Sequence, residues 1–183
     1  RGWTPSPAAS SEALLRRLSL DLIGLPPTLA EQEAFVKSSP ADAYDKLVDS
    51  LLSREEYGER YARHWLDVVR YADSNGYERD AAKPEVWKYR DYVIRSLNAD
   101  LPFNRFILEQ IAGDELEDSS ESTMVATGYL RLGPWDDEPA DFATDHYDQL
   151  DDLVSTTSQA FLGLSLGCAR CHDHKFDPLS QAD

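Results

Sequence analysis

Two thiols and an imidazole lie within five consecutive residues of this sequence. Cys168, Ala169, Arg170, Cys171 and His172 spell C-x-x-C-H, which is the attachment signature of c-type haem. The two intervening residues make a short loop that lets both sulfurs form thioether bonds to one porphyrin, and the adjoining imidazole then reaches the iron. The motif therefore predicts one covalent haem c, attached through Cys168 and Cys171, with His172 as the proximal iron ligand.

Three other chemistries use the same residue types. A thioredoxin-like C-x-x-C pair normally lies near a βαβ unit and has no need of His172. A zinc ion would use Cys168 and Cys171 with His172 or His174, but zinc sites usually gather ligands from two separated segments. A reduced structural pair without a cofactor is the third alternative, and it also leaves the adjacent imidazole unexplained.

The second axial position of the iron has several candidates among the remaining histidines and the single methionine. His174 is only two residues beyond His172, so it is poorly placed for the opposite face of the same iron. We expect it either to form hydrogen bonds or to be exposed to solvent. His146 lies in an acidic segment and is expected at the surface. We favour His64 as the distal ligand, with Met124 as the runner-up and an open or water-bound position as the remaining alternative.

The distal ligand decides the mechanism. Two protein ligands leave the iron no vacant position, which favours outer-sphere electron transfer. An open position permits the binding of small molecules or peroxide chemistry, as in a haem enzyme. A third alternative is an interaction module in which haem mainly stabilises the fold. We expect an electron carrier rather than a catalyst, with a redox protein or a larger multi-domain assembly as its partner.

The composition excludes several classes of protein. Hydrophobic residues make up 42% of the 183 residues and charged residues 28%, which excludes collagen-like, disordered and low-complexity chains. The formal net charge of −16 repels phosphate backbones and anionic lipid surfaces, so neither nucleic acid nor a peripheral membrane is expected as a partner. A protein partner would more plausibly present a basic face. No apolar run approaches the roughly 18–20 residues of a membrane span, and no signal peptide is visible.

Apolar residues at helical spacing predict a mainly α fold, a single multi-helix domain over residues 1–183, with the haem site near the C-terminal end. Capping boxes are predicted at Thr28 with Glu31 and at Ser53 with Glu56, and Ser39 before a proline predicts a third N-cap. Residues 122–132 are too short an apolar run for periodicity to distinguish a helix from an extended segment. Helices are expected over residues 11–22, 29–37, 40–52, 54–72, from about 84, from 102 to Gly113, and over 146–162.

On two of these helices the residues at helical spacing define one face. On the fourth helix the expected buried stripe places His64 in the interior; its members are Tyr57, Tyr61, His64, Val68 and Tyr71. On the last helix the expected apolar face precedes the two cysteines; its members are Leu150, Val154, Thr157 and Phe161.

Four segments resemble the planctomycete-type cytochrome c domain. They are LLRRLSLDLIGLPPT at 14–28, RHWLDVVRYADSNGY at 63–77, YRDYVIRSLNADLPFNRFILEQIAGDEL at 89–116 and CARCHDHKFDPL at 168–179. The resemblance implies haem attachment at Cys168 and Cys171, proximal ligation by His172, and a family segment that contains His64. It also implies that the chain is part of a larger exported protein, matured in a periplasm or at an exported, membrane-associated assembly. The family's biochemical activity is largely unassigned.

Overall fold

Helices dominate the computed structural model of the chain, which describes residues 2, 4–38 and 40–182, without the side chains of residues 40 and 41. In this part of the chain there is no β-strand, and an isolated antiparallel bridge pairs Ser74 with Ala82. No helix there combines the length and apolarity that a membrane crossing requires. The mainly helical prediction is confirmed. The helices are α1 Ser11–Leu22, α2 Leu29–Lys37, α3 Pro40–Leu52, α4 Glu55–Val68, α5 Trp87–Asn98, α6 Phe103–Ala112, α7 Glu121–Ala126 and α8 Phe142–Thr157.

One of the two predicted capping boxes, at the start of α2, is confirmed. Thr28 accepts from the backbone N–H of Glu31 at 3.3 Å, and the Glu31 carboxylate accepts from the backbone N–H of Thr28 at 2.6 Å. The second predicted capping box is not formed. Ser53 instead donates to the carbonyl of Ser50, and the Glu56 carboxylate binds Arg54. The predicted N-cap at Ser39 lies outside the described residues.

Contacts divide the chain into two compact units. The first comprises Arg1–Arg63 and Ile94–Asp100. In it α1 packs against α2 and α3 around the buried Leu15 and Leu51. Asn98 holds the first turn of α4, because its Oδ1 accepts from Gly58 N at 2.8 Å and its Nδ2 donates to the carbonyl of Glu55 at 3.0 Å.

The second unit comprises His64–Val93 and Leu101–Asp183, and it contains the C-x-x-C-H motif. A buried polar network lies in its core. The indole Nε1 of Trp65 donates to Tyr89 Oη at 3.0 Å and to Gln110 Oε1 at 3.1 Å, and the Tyr89 hydroxyl also donates to Gln110. Because every polar atom of this network has a partner, the core accommodates it without unsatisfied donors. The core side chains around it include Val69, Tyr92, Val93, Phe106, Ala126, Tyr129 and Leu132.

The predicted buried stripe on α4 is wrong at His64 and Val68, which are both exposed. The buried residues are Gly58, Ala62 and, just past the helix, Val69. A Cβ at Gly58 would lie 2.6 Å from the Asn98 side chain, so this face of α4 requires a glycine. A prediction of buried positions from hydrophobicity alone does not select glycine. The helix also ends at Val68 rather than at 72, and Arg70 just beyond has a left-handed φ of 61°.

The last helix differs from its prediction in position. It begins at Phe142, with Asp141 as N-cap, and a π-helical turn, Ser158–Leu162, follows Thr157. On the predicted face, Leu150 and Val154 are 43% and 54% exposed, whereas Phe161 is half-buried. The undecided segment 122–132 is α7 followed by a 3₁₀ turn, Thr127–Arg131.

Candidate functional site

The chain reaches the C-x-x-C-H motif through an aromatic anchor at the end of α8. The Phe161 ring lies 5.5 Å from the Trp65 ring and 5.5 Å from the Tyr129 ring, measured between centroids. Tyr129 is fully buried, and its hydroxyl lies 2.8 Å from Thr157 Oγ1. Phe161 thus attaches the segment before the cysteines to the core of the second unit.

A sharp reversal follows this anchor. Gly163 has a left-handed φ of 67°, a conformation that favours glycine. Leu164 N–H donates to the carbonyl of Ser158 at 3.2 Å, and Ser158 Oγ lies 2.9 Å from the carbonyl of Leu164. The reversal returns the chain along α8 into a 3₁₀ turn, Leu166–Arg170, which we call the cysteine turn.

The cysteine turn packs directly on α8. A Cβ at Gly167 would lie 2.8 Å from Ser155 Oγ, so the backbone approaches the helix closely there. Arg170 binds Asp148 through Nη2 and Asp151 through Nη1, the second at 3.0 Å. The hydrogen bond that Arg170 donates to Asp148 and the negative charge of Asp151 raise the pKa of Arg170. Because both carboxylates already engage it, Arg170 is a poor candidate for an additional anionic partner.

Both thiols at the motif are free and exposed. Cys168 lies inside the cysteine turn and Cys171 follows it immediately, so the two sulfurs belong to one turn of chain. Leu162 lies six positions before Cys168 and Phe176 five positions after Cys171 in the chain, and they are 67% and 83% exposed. The motif therefore presents two accessible thiols in a segment that also carries exposed apolar side chains.

His172 is exposed and its tautomer follows from one contact. Its Nδ1 lies 2.7 Å from the carbonyl oxygen of Asp173. A carbonyl can only accept, so Nδ1 carries the proton and Nε2 of the neutral ring keeps its lone pair. Histidines that bind metals usually donate their other ring N–H in this way. The geometry leaves Nε2 as the nitrogen available to a metal.

His174 has a different role, because its side chain is only 6% exposed. Its Nδ1 accepts from the backbone N–H of Asp177 at 2.8 Å and of Phe176 at 3.2 Å, and its Nε2 lies 2.9 Å from Ser165 Oγ. Nδ1 is therefore unprotonated, and Nε2 carries the proton that Ser165 accepts. This confirms the expectation that His174 forms hydrogen bonds, and it links the segment after the motif to the start of the cysteine turn.

The distal-ligand candidates lie on three different helices. His64 is exposed on α4, next to Trp65, which touches Phe161. Met124 is 53% exposed on α7. His146 is exposed on α8, as expected. His64 and Met124 thus stay predictions as iron ligands, although the buried environment expected for His64 is wrong.

The zinc and thioredoxin alternatives gain no support from the described residues. Among them, no three His, Cys, Asp or Glu side chains are grouped so that they could hold a metal ion. A zinc ion in a structural site takes four protein ligands, whereas a haem iron takes its equatorial ligands from the porphyrin. The same part of the chain also lacks the strands of a βαβ unit.

Comparison with known protein families decides the membership of the chain. The model of the family PSCyt2, described as "Protein of unknown function (DUF1549)", matches residues 1–183. The chain belongs to the PSCyt2 family. The resemblance seen in the sequence is thus confirmed at the level of a planctomycete-type family without an assigned function. No curated protein and no solved structure is significantly similar to this PSCyt2 chain.

Sequence reasoning missed the residues that hold the motif in place. Asp148 and Asp151 are about one helical turn apart, so their carboxylates could bind the same cation. The sequence does not indicate that Arg170 is that cation. Ser165 gives no local signal for its contact with His174. These contacts join residues 9 to 22 positions apart, so they depend on the reversal at Gly163.

Proposed function

We propose that this PSCyt2 chain is a c-type cytochrome domain that binds one haem covalently and passes electrons to a redox partner. The observation that carries the proposal is the His172 contact: its Nδ1 proton is held by the Asp173 carbonyl, which directs the Nε2 lone pair outward. When bound, haem supplies a one-electron iron couple.

The residues at the motif fit this group. Cys168 and Cys171 are free and accessible, as thioether formation with two vinyl groups requires. Leu162 and Phe176, which precede and follow the motif in the chain, are exposed apolar side chains that a porphyrin face could cover. The roles of the chain are to tether the group through the two sulfurs and to orient His172 through its hydrogen bond.

The exposure of the motif residues Cys168, Cys171 and His172, and the negative net charge of the chain, favour an electron carrier over an enzyme with a buried reaction centre. The attached group would lie at the surface, where a second redox centre can approach. The net charge of −16 would speed association with a partner that presents a basic face. Covalent haem attachment places maturation outside the cytoplasm, in a periplasm or at an exported assembly, with nucleic acid excluded as a partner on charge grounds.

One preparation tests covalent attachment. The chain is produced together with a periplasmic c-type cytochrome maturation system, denatured, and examined by mass spectrometry and by its pyridine haemochrome spectrum. We expect one haem to remain on the wild-type chain and none on the double variant Cys168→Ser, Cys171→Ser. Loss of haem from the denatured wild type, or zinc in its place by metal analysis, would refute the proposal.

The distal ligand is tested on the same haem-loaded protein. We propose His64, because its neighbour Trp65 packs against the Phe161 anchor that leads to the motif. A low-spin spectrum is expected for the wild type and for the matched control His146→Ala, and a high-spin spectrum for His64→Ala. If Met124→Leu alone turns high-spin, Met124 is the ligand.

The alternatives give other results in the same preparation. A wild-type spectrum that is already high-spin and changes readily with cyanide or carbon monoxide would favour a haem enzyme. If electron exchange with the native partner proceeds equally well after the haem is made redox-inactive, haem serves the fold alone and the carrier proposal is wrong.

A further inference from the structure

A second feature of the second unit is a pocket that does not include the C-x-x-C-H motif. A pocket of about 520 Å³ opens between α5, α7 and the 3₁₀ turn Thr127–Arg131, and we call it the α7 pocket. None of the residues that line it belongs to the C-x-x-C-H motif. Its volume falls in the range of roughly 300–1,000 Å³ that small-molecule sites occupy.

The inner surface of the α7 pocket is apolar. Tyr89 and Leu132 are each only 2% exposed. Val86, Val125 and Met124 also line it. Met124 is 53% exposed, so an apolar side chain at this pocket lies open to water. Burying such a surface under a ligand is favourable in proportion to the apolar area covered.

Two cations, Lys83 and Arg131, also line the pocket. In the described part of the chain neither forms an ion pair, whereas Lys88 and Glu85 at the same pocket pair with each other. The local charge is therefore positive on a protein whose net charge is −16. Burial, followed by the positive charges of Arg131 and Arg70, lowers the pKa of Lys83. An anion between these cations would relieve their mutual repulsion.

The cationic side of the pocket is held in place before any ligand arrives. Lys83 Nζ donates to the carbonyls of Leu132 at 3.3 Å and Gly133 at 3.1 Å, which leaves one of its three protons for another acceptor. The Arg131 guanidinium lies 3.7 Å from the centre of the Trp135 ring. The backbone N–H of Trp135 in turn donates to the carbonyl of Asn75 at 3.0 Å. Such preorganisation lowers the entropy cost of binding.

We infer that the α7 pocket binds a small organic anion that has a flat apolar body and one carboxylate. The apolar body would cover Val86, Val125 and Met124, above a floor formed by the buried Tyr89 and Leu132, and the carboxylate would lie between Lys83 and Arg131. Binding in this pocket uses no residue of the C-x-x-C-H motif and requires no covalent or redox step.

Two probes of equal size and shape test the charge requirement. Isothermal titration calorimetry is carried out on the full 183-residue chain with 2-naphthoate and with its neutral analogue 2-naphthamide. We expect saturable binding of one naphthoate per chain and at least about tenfold weaker binding of naphthamide, because a charge-assisted hydrogen bond is worth about this factor. Equal affinity for the two probes, or no saturable naphthoate binding at concentrations on the order of millimolar, would overturn the inference.

Variants locate the site. Arg131→Gln is expected to weaken naphthoate binding about tenfold and to leave naphthamide binding unchanged, and Met124→Glu is expected to abolish naphthoate binding. Both positions are exposed, and far-UV circular dichroism of each variant checks that it is folded. The matched controls Arg17→Gln and Leu29→Glu change an exposed cation and an exposed apolar residue outside the pocket. If the controls weaken binding as much as the pocket variants, the probe binds elsewhere and the inference is wrong.

Discussion

Replacing His174 by alanine tests whether this side chain, rather than the motif alone, orders the segment around the two cysteines. In the wild type, its Nδ1 accepts from two backbone N–H groups, those of Phe176 and Asp177, and its Nε2–H donates to Ser165. The His174 side chain is only 6% exposed, although two of its partners, Ser165 and Phe176, are exposed residues. The variant removes all three contacts and leaves the backbone of residues 174–179 to open more often.

The size of the effect follows from the number of bonds. A neutral hydrogen bond contributes about 0.5–1.5 kcal/mol net. The two N–H groups share one lone pair of Nδ1, so together they count as little more than one bond, and the contact with Ser165 adds another. We therefore expect about 1–3 kcal/mol less stability for the closed segment, which corresponds to about a 5- to 150-fold loss of protection against exchange.

Amide hydrogen exchange at Phe176 and Asp177 measures this loss directly. His174→Asn is the informative second variant, because its side-chain oxygen can accept from backbone N–H groups two or three residues on, as in an Asx turn. It is expected to recover part of the protection, while His146→Ala, an exposed histidine on α8, should have none of the effect. Unchanged exchange at both amides in His174→Ala, or an equal loss in His146→Ala, would show that the hydrogen bonds of His174 do not order the segment.

Three further perturbations test the support of the site and the pH response of the first unit. Gly163→Val should lower the free energy of unfolding by about 1–3 kcal/mol, seen as a lower urea midpoint, because its φ of 67° is strained for a branched residue. Phe161→Ala should cost about 2–3 kcal/mol by the same measurement, less than for a fully buried ring because Phe161 is half-buried, and a loss below about 0.5 kcal/mol would contradict its role as anchor. The hydrogen bond from Arg54 lowers the pKa of Glu56 from 4.5 to about 2. A lowered folded-state pKa stabilises the protein above pH 4.5, and this contribution is lost as the pH falls towards 2, so the stability advantage of wild type over Glu56→Gln should shrink across that window in urea titrations.

Local chemistry made parts of the fold predictable. The bounds of α1, α2 and α3 agree with the sequence analysis because their signals act within one turn of helix, such as the Thr28 and Glu31 capping box. The predicted face of α4 is wrong at His64 for the opposite reason. Its true buried face includes Gly58, and which side of a helix needs a glycine depends on a neighbour, Asn98, that lies 40 positions away in the chain.

The sequence by itself determined which residues form the candidate site. Two thiols and an imidazole at C-x-x-C-H spacing need only covalent geometry to lie on one turn, so the sequence alone identifies Cys168, Cys171 and His172 as candidates. Only the tertiary structure decided how that turn is held: Arg170 by α8, His174 by Ser165, and the approach by Phe161. It also created the α7 pocket, whose cations come from separate segments. The physical reason is that contacts between distant residues form only when the free energy gained by burying the core exceeds the entropy cost of closing the intervening chain. The spacing of residues within a short segment does not reveal whether this condition is met.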